Sequence, residues 1–213
     1  MHDHGDPTLT TVREIVEQIA KGLRAFHRNE VVHQDLKPEN ILIDRFGSVK
    51  IIDFGSTRIA GLEETDAAAG DRGLLGTVDY TAPEYLLGVV GSPRSDLFAL
   101  GVIAYEMVTG KLPYGRGFAN RRAAETLTYI PARQHKADLP IWVDRAIAKA
   151  VECDPARGYE ALSEFFFDLS HPNPEFLQSR PPPLIERNPV AFWRGVSLVL
   201  FIATIVLVYA LIS

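Results

Sequence analysis

Between Thr11 and Arg28 the apolar residues Val12, Ile15, Ile19, Leu23 and Phe26 recur at steps of three and four, with charged residues filling the positions between them. That spacing predicts an amphipathic helix, capped by Thr10 or Thr11, that buries one stripe. The period then shortens. Ile41-Leu42-Ile43 and Val49-Lys50-Ile51-Ile52 are brief β-branched runs on either side of Asp44-Arg45-Phe46-Gly47, whose turn chemistry predicts a small hairpin. Residues 97–109 hold a single charge, Glu106, and stop at Gly110 with Pro113 beyond, the pattern of a helix buried on most sides. Ile141 to Glu152 and Glu160 to Leu169 predict two more helices, joined by the turn Asp154 to Gly158.

The pattern changes again after Leu169, where a folded domain of residues 1–170 is expected to end. Residues 171–194 contain Pro172, Pro174 and the run Pro181-Pro182-Pro183, so up to residue 189 they are expected to form no regular helix and to act as an extended linker. Residues 195–213 carry no charge and are apolar on every side, which predicts a membrane span. As a helix this stretch would extend about 28 Å, close to the thickness of a bilayer's hydrocarbon layer. Arg180, Arg187 and Arg194 outweigh Glu186 in its approach, and Phe192 and Trp193 suit an interface, so the expected arrangement is a tail anchor with the main domain cytoplasmic.

Composition narrows the function classes. With 46% hydrophobic residues among 213, the chain can form one well-cored domain. A net charge of −5 without a basic cluster argues against a nucleic-acid binder, whose affinity rests on neutralising phosphates. Cys153 is the sole cysteine, which excludes an intramolecular disulfide.

The chemistry lies in two polar clusters at the ends of the predicted hairpin. His33-Gln34-Asp35-Leu36-Lys37-Pro38-Glu39-Asn40 is followed, thirteen positions after its asparagine, by Asp53-Phe54-Gly55. Order and spacing resemble the catalytic loop and metal-binding segment of the eukaryotic-type serine/threonine protein kinases. Ala82-Pro83-Glu84, preceded by Gly76-Thr77, resembles the end of that family's activation segment and counts against a small-molecule phosphotransferase. Ser95 to Gly101 is similar to the start of its central helix, and Asp154-Pro155-Ala156-Arg157 to the site of a conserved arginine.

The resemblance implies a mainly α fold, the large C-terminal lobe of a kinase with a small β-hairpin, using ATP and Mg2+ and acting on a protein substrate. Asp35 would orient the attacking hydroxyl, Lys37 would contact the transferring phosphate, and Thr77 would bond both. Glu39, Asn40, Leu42 and Asp53 are the positions it assigns to the nucleotide, Asn40 and Asp53 as magnesium ligands and Leu42 beneath the adenine. His33 and Phe54 would be packing residues, Asp96 would accept N–H bonds from the catalytic loop, and Glu84 would pair with a buried Arg157.

Two departures stand out. Gln34 replaces the usual arginine, so it cannot pair with a phosphate on the activation segment, where Thr57 and Thr65 are the candidate sites. About ten residues precede the first helix, with no Gly-rich loop or strand lysine among them, so the isolated chain is expected to turn over little. The stretch through Asn188-Pro189 and Phe192-Trp193-Arg194 is similar to the end of bacterial bifunctional proteins that fuse a phosphatase to a kinase, which makes a cognate phosphatase domain an expected partner. The alternative is a non-catalytic, membrane-tethered binding module.

Overall fold

The computed structural model describes residues 7–53, 58–59, 78–86, 88–115 and 127–177, together with positions 193, 197 and 204. Helix α1 runs Leu9–His27. Its cap is Thr8, not the expected Thr10 or Thr11: Thr8 is extended and its Oγ1 accepts from Thr11 N at 3.2 Å. The helix therefore starts earlier than its apolar periodicity, because Leu9 and Thr10 already lie in its first turn. Val12, Val16, Ile19, Ala20 and Leu23 form the buried stripe.

Strand β1 (Val31–Val32) leads into the polar loop, and β2 (Ile41–Ile43) pairs antiparallel with β3 (Val49–Ile51) as the expected hairpin. Asp44 closes its turn by accepting from Phe46 N at 2.8 Å and Ser48 N at 3.0 Å. These bonds, the larger to Ser48, hold the carboxyl of Asp44 below its ordinary value. Gln18 of α1 fixes the hairpin's position, donating to Gly47 O at 2.9 Å and accepting from Val49 N at 3.0 Å. A second ladder, between β1 and β4 (Arg58–Ile59), was not expected from the sequence, because each strand is only two residues long.

After the one-turn α2 (Pro83–Leu86) comes α3 (Pro93–Thr109), buried at every position from Ser95 to Tyr105. It begins four residues before the hydrophobic run. Ser92 caps it and Ser95 Oγ accepts from Ser92 N at 2.9 Å, a reciprocal box with Pro93 in the first turn. The other end is as predicted, with Gly110 left-handed at φ 65°. Helices α4 (Ile141–Ala150) and α5 (Leu162–Ser170) pack on each other, α4 also against α3 and α5 against α1. Gly101 permits the α3–α4 approach, since a Cβ there would lie 2.8 Å from Ala150 Cβ.

Residues 171–177 differ from expectation. Pro174 opens a one-turn helix, α6 (Pro174–Leu177), which packs on α4, and the compact unit extends to Leu177. Proline is tolerated in a first turn, where its missing N–H has no intrahelical partner, and Asn173 Oδ1 accepts from Glu175 N at 2.9 Å. Residues 178–213 form a separate unit. The linker's residues 178–192 and the predicted span 195–213 lie outside the described residues, except for Ser197 and Thr204. Among the described residues no helix is long and apolar enough to cross a membrane.

Candidate active site

The polar loop hangs from one buried carboxylate. Asp96, 1% exposed in the first turn of α3, accepts from His33 N at 2.9 Å and from Gln34 N at 3.0 Å. Its Oδ2 also meets His27 Nε2, from the end of α1, at 2.8 Å. Gln34 has φ 69°, in the left-handed region, and this turns two consecutive N–H groups toward the same acceptor. The backbone N–H bonds were legible in the sequence. His27 was missed, because its position looks like an ordinary helix end.

Beyond Gln34 the chain turns outward and brings together several of the predicted residues. Lys37 Nζ lies 2.8 Å from Asp35 Oδ2, with the two side chains 22% and 39% exposed. Asn40 closes a single 3-10 turn that starts at Pro38; its Nδ2 donates to Asp35 O at 2.8 Å and to Asp35 Oδ2 at 3.3 Å. That use of the amide nitrogen assigns its orientation and leaves Oδ1 as the atom able to hold a cation. The hydrogen bond that the Lys37 ammonium donates to Asp35 raises its pKa above the ordinary value; burial opposes this, while the charges of Asp35, Glu39 and Asp53 add to it. Asp35, Lys37, Glu39, Asn40 and Asp53 are therefore one electrostatic group.

The hairpin joins the two clusters. Ile52 N donates to Asn40 O at 2.9 Å, so the residue before Asp53 is tied to the last residue of the loop. Asp53 is exposed with φ 63°, a left-handed conformation that a non-glycine residue adopts only where its surroundings enforce it. Leu42 and Ile43 are 52% and 50% exposed, on opposite faces of strand β2. Phe54, Gly55, Thr57, Thr65, Gly76 and Thr77 lie outside the described residues.

One expected pair does not form. Glu84 is buried, but its Oε1 accepts from Ser95 Oγ at 2.6 Å, while Arg157 is exposed. The Ser95 hydroxyl is well placed because Ser92 N already occupies its acceptor side. The turn that carries Arg157 is instead held by Arg94, whose guanidinium donates to Pro155 O at 2.6 Å and to Glu160 Oε1 at 3.4 Å. Arg94 was not singled out from the sequence, and Ser95 was named only as the first residue of the helix motif, with no partner assigned to it.

Among the described residues no group of three or more His, Cys, Asp or Glu could hold a metal ion. Asn40 and Asp53 fit a hard cation that takes the rest of its shell from phosphate and water, as magnesium does. They do not make a closed cage.

The polar loop and the hairpin thus lie together on a helical lobe, with Ile52 N bonded to Asn40 O. The model of the protein kinase domain matches residues 2–175, and the chain belongs to the protein kinase family. Serine/threonine-protein kinase PrkC of Bacillus subtilis is 34% identical over 157 residues, covering 73% of this chain and 24% of that protein. Serine/threonine-protein kinase Pkn1 of Myxococcus xanthus is 34% identical over 193 residues, covering 84% and 28%. A probable serine/threonine-protein kinase of Clostridium acetobutylicum is 29% identical over 171 residues, covering 79% and 26%. The chain thus spans about a quarter of the length of these relatives.

Proposed function

We propose that the chain is the large lobe of a serine/threonine protein kinase, transferring the terminal phosphoryl of ATP to a protein hydroxyl once a small lobe covers the nucleotide. The observation that carries this is the half-exposed Asp35 carboxylate, held by Lys37 Nζ at 2.8 Å and by Asn40 Nδ2 at 3.3 Å. Asp35 accepts the hydroxyl's hydrogen bond and orients its oxygen for attack. Lys37 supplies positive charge next to the transferring group, and its raised pKa keeps it protonated at neutral pH. Asn40 and Asp53 hold magnesium, which when bound neutralises charge on the phosphates. The exposed Leu42 forms the floor for the adenine. The family resemblance gives Thr77, outside the described residues, the role of bonding Asp35 and Lys37, which would favour serine or threonine acceptors.

The same reading gives residues 178–194 the role of a linker and 195–213 that of a bilayer anchor, with the kinase lobe on the cytoplasmic face and a phosphatase domain as a cognate partner. Their composition supports it, with three prolines in succession and then nineteen uncharged residues. Carbonate extraction of membranes should leave the whole chain in the pellet and release a chain lacking residues 195–213.

The deciding experiment measures magnesium-dependent ATP binding by the purified chain, alone and with a small kinase lobe supplied, and then phosphoryl transfer to a serine- and threonine-bearing protein. Binding should strengthen and transfer should begin when the small lobe is present. Asp35→Ala should lower transfer by about 10²- to 10⁴-fold and retain binding. Binding without transfer under every condition would favour the non-catalytic module.

A further inference from the structure

Away from the Asp35 loop, two clefts run side by side along one face of α4. One encloses about 540 Å³, with Tyr129, Ile141 and Arg145 among its walls; the other encloses about 630 Å³ and adds Lys149, Arg157 and Phe176. Tyr129, Arg145 and Ala148 line both, so the two form one groove. Its length follows α4, whose ten residues rise about 15 Å, enough for about five residues of extended chain.

The groove's charge is opposite to that of the chain. The net charge is −5, yet Arg133, Arg145, Lys149 and Arg157 all border this groove. Two carboxylates also line it. Asp144 is buried and committed, accepting from Tyr129 Oη at 2.7 Å and from Ala132 N at 2.8 Å, which leaves Glu152 at one end as the other acid. Among the described residues no ion pair joins Arg133, Arg145, Lys149 or Arg157 to a carboxylate. The Lys149 ammonium lies 4.3 Å from the Tyr159 ring centre. Arg145 and Lys149 stand one turn apart on α4, a like-charge spacing that disfavours the helix and is relieved when an anion lies between them.

The walls between these cations are apolar and aromatic. Tyr114 and Tyr129 meet edge to face with centres 6.3 Å apart, and Leu127 and Phe176 extend the same surface. A ligand that satisfies both features needs carboxylates and hydrocarbon in alternation. We propose that this groove docks an extended acidic segment of a protein partner, its carboxylates on Arg145 and Lys149 and its apolar side chains over Tyr129 and Ile141. A nucleic acid fits less well, because its continuous phosphate charge would meet Glu152 and a chain that is negative as a whole.

The proposal is independent of phosphoryl transfer, since docking is read without nucleotide. Fluorescence anisotropy of the full chain in detergent, with a labelled peptide alternating Glu and Leu, should show saturable binding. The double variant Arg145→Ala, Lys149→Ala should bind about tenfold more weakly. Lys111→Ala, an exposed lysine outside the groove, should bind as the unaltered chain does. A Lys-Leu peptide should not bind, and a Glu-Ser peptide should bind more weakly than Glu-Leu. Equal affinity in the double variant, or equal affinity for Glu-Ser, Glu-Leu and heparin, would overturn the assignment. If the double variant fails to fold, hydrogen–deuterium exchange on the unaltered chain decides: Glu-Leu peptide should slow exchange across residues 141–152 and leave 9–27 unchanged. Absence of that protection would also overturn it.

Discussion

The buried end of the catalytic loop and its solvent-facing end each carry an aspartate in a different setting. Asp96, at 1% exposure, spends its acceptor capacity on His27, His33 and Gln34. Asp35, 39% exposed in its side chain, is contacted by one flexible ammonium and one amide. A carboxylate saturated by fixed donors cannot meet a substrate, whereas one held on a single side can. The same contrast separates the helical base, where Ile19, Leu100 and Phe165 are fully buried, from the hairpin, where Leu42 and Ile43 are half exposed. The first region carries the packing that stabilises the lobe, and the second carries the residues proposed for chemistry.

The sharpest way to break this contrast is to remove each aspartate in turn. Asp96→Ala leaves two backbone N–H groups without their acceptor and should cost about 3–5 kcal/mol in urea unfolding. Asp35→Ala should change stability by less than about 1 kcal/mol, while phosphoryl transfer in the presence of a small lobe falls by about 10²- to 10⁴-fold. Equal losses of stability in the two variants would erase the distinction. Next in size, Leu100→Ala should cost about 2–5 kcal/mol, whereas Leu42→Ala should stay within about 0.5 kcal/mol. Gly101→Ala drives a methyl group against Ala150 and Val151 and should cost about 1–3 kcal/mol, read as a lower melting temperature.

The smallest effect concerns Cys153. Burial pushes its thiol up from the ordinary value, against the opposing bond from Tyr114. A raised thiol pKa favours the neutral form, so at pH 8 the reactive thiolate is scarcer than in free cysteine. Iodoacetamide labelling should be slower than for the free amino acid, with its pH profile displaced upward. Labelling as fast as the free thiol would place Cys153 with the exposed face.

Much of this was readable from the chain because strong local patterns coincide with strong physical demands. The loop from His33 to Asn40 combines residue types that need one another at short range, and the hydrophobic run ending at Gly110 has few alternatives to a buried helix. What escaped notice depended on partners distant in sequence. Gln18 clamping the hairpin, His27 joining Asp96 and Arg94 holding the Asp154–Gly158 turn are polar residues whose bonds span 29 to 69 positions, beyond any periodicity. The expected Glu84–Arg157 pair failed for the opposite reason: Ser95, only eleven positions from Glu84, provides a closer donor. Pro174 was read as a breaker because its place in a first turn is decided by packing on α4.

Ser95 and Asp96 are adjacent residues, and they grip different segments: Ser95 holds Glu84 in α2, and Asp96 holds the polar loop at His33 and Gln34. A single turn of α3 thus acts as a common mooring, and displacement of either segment loads the other through one peptide bond. Under the proposed phosphoryl transfer, variants that disturb this turn should lower activity without touching nucleotide or substrate, so a screen scored by activity alone would count Ser95 and Asp96 among the reacting groups. Paired folding measurements would separate them.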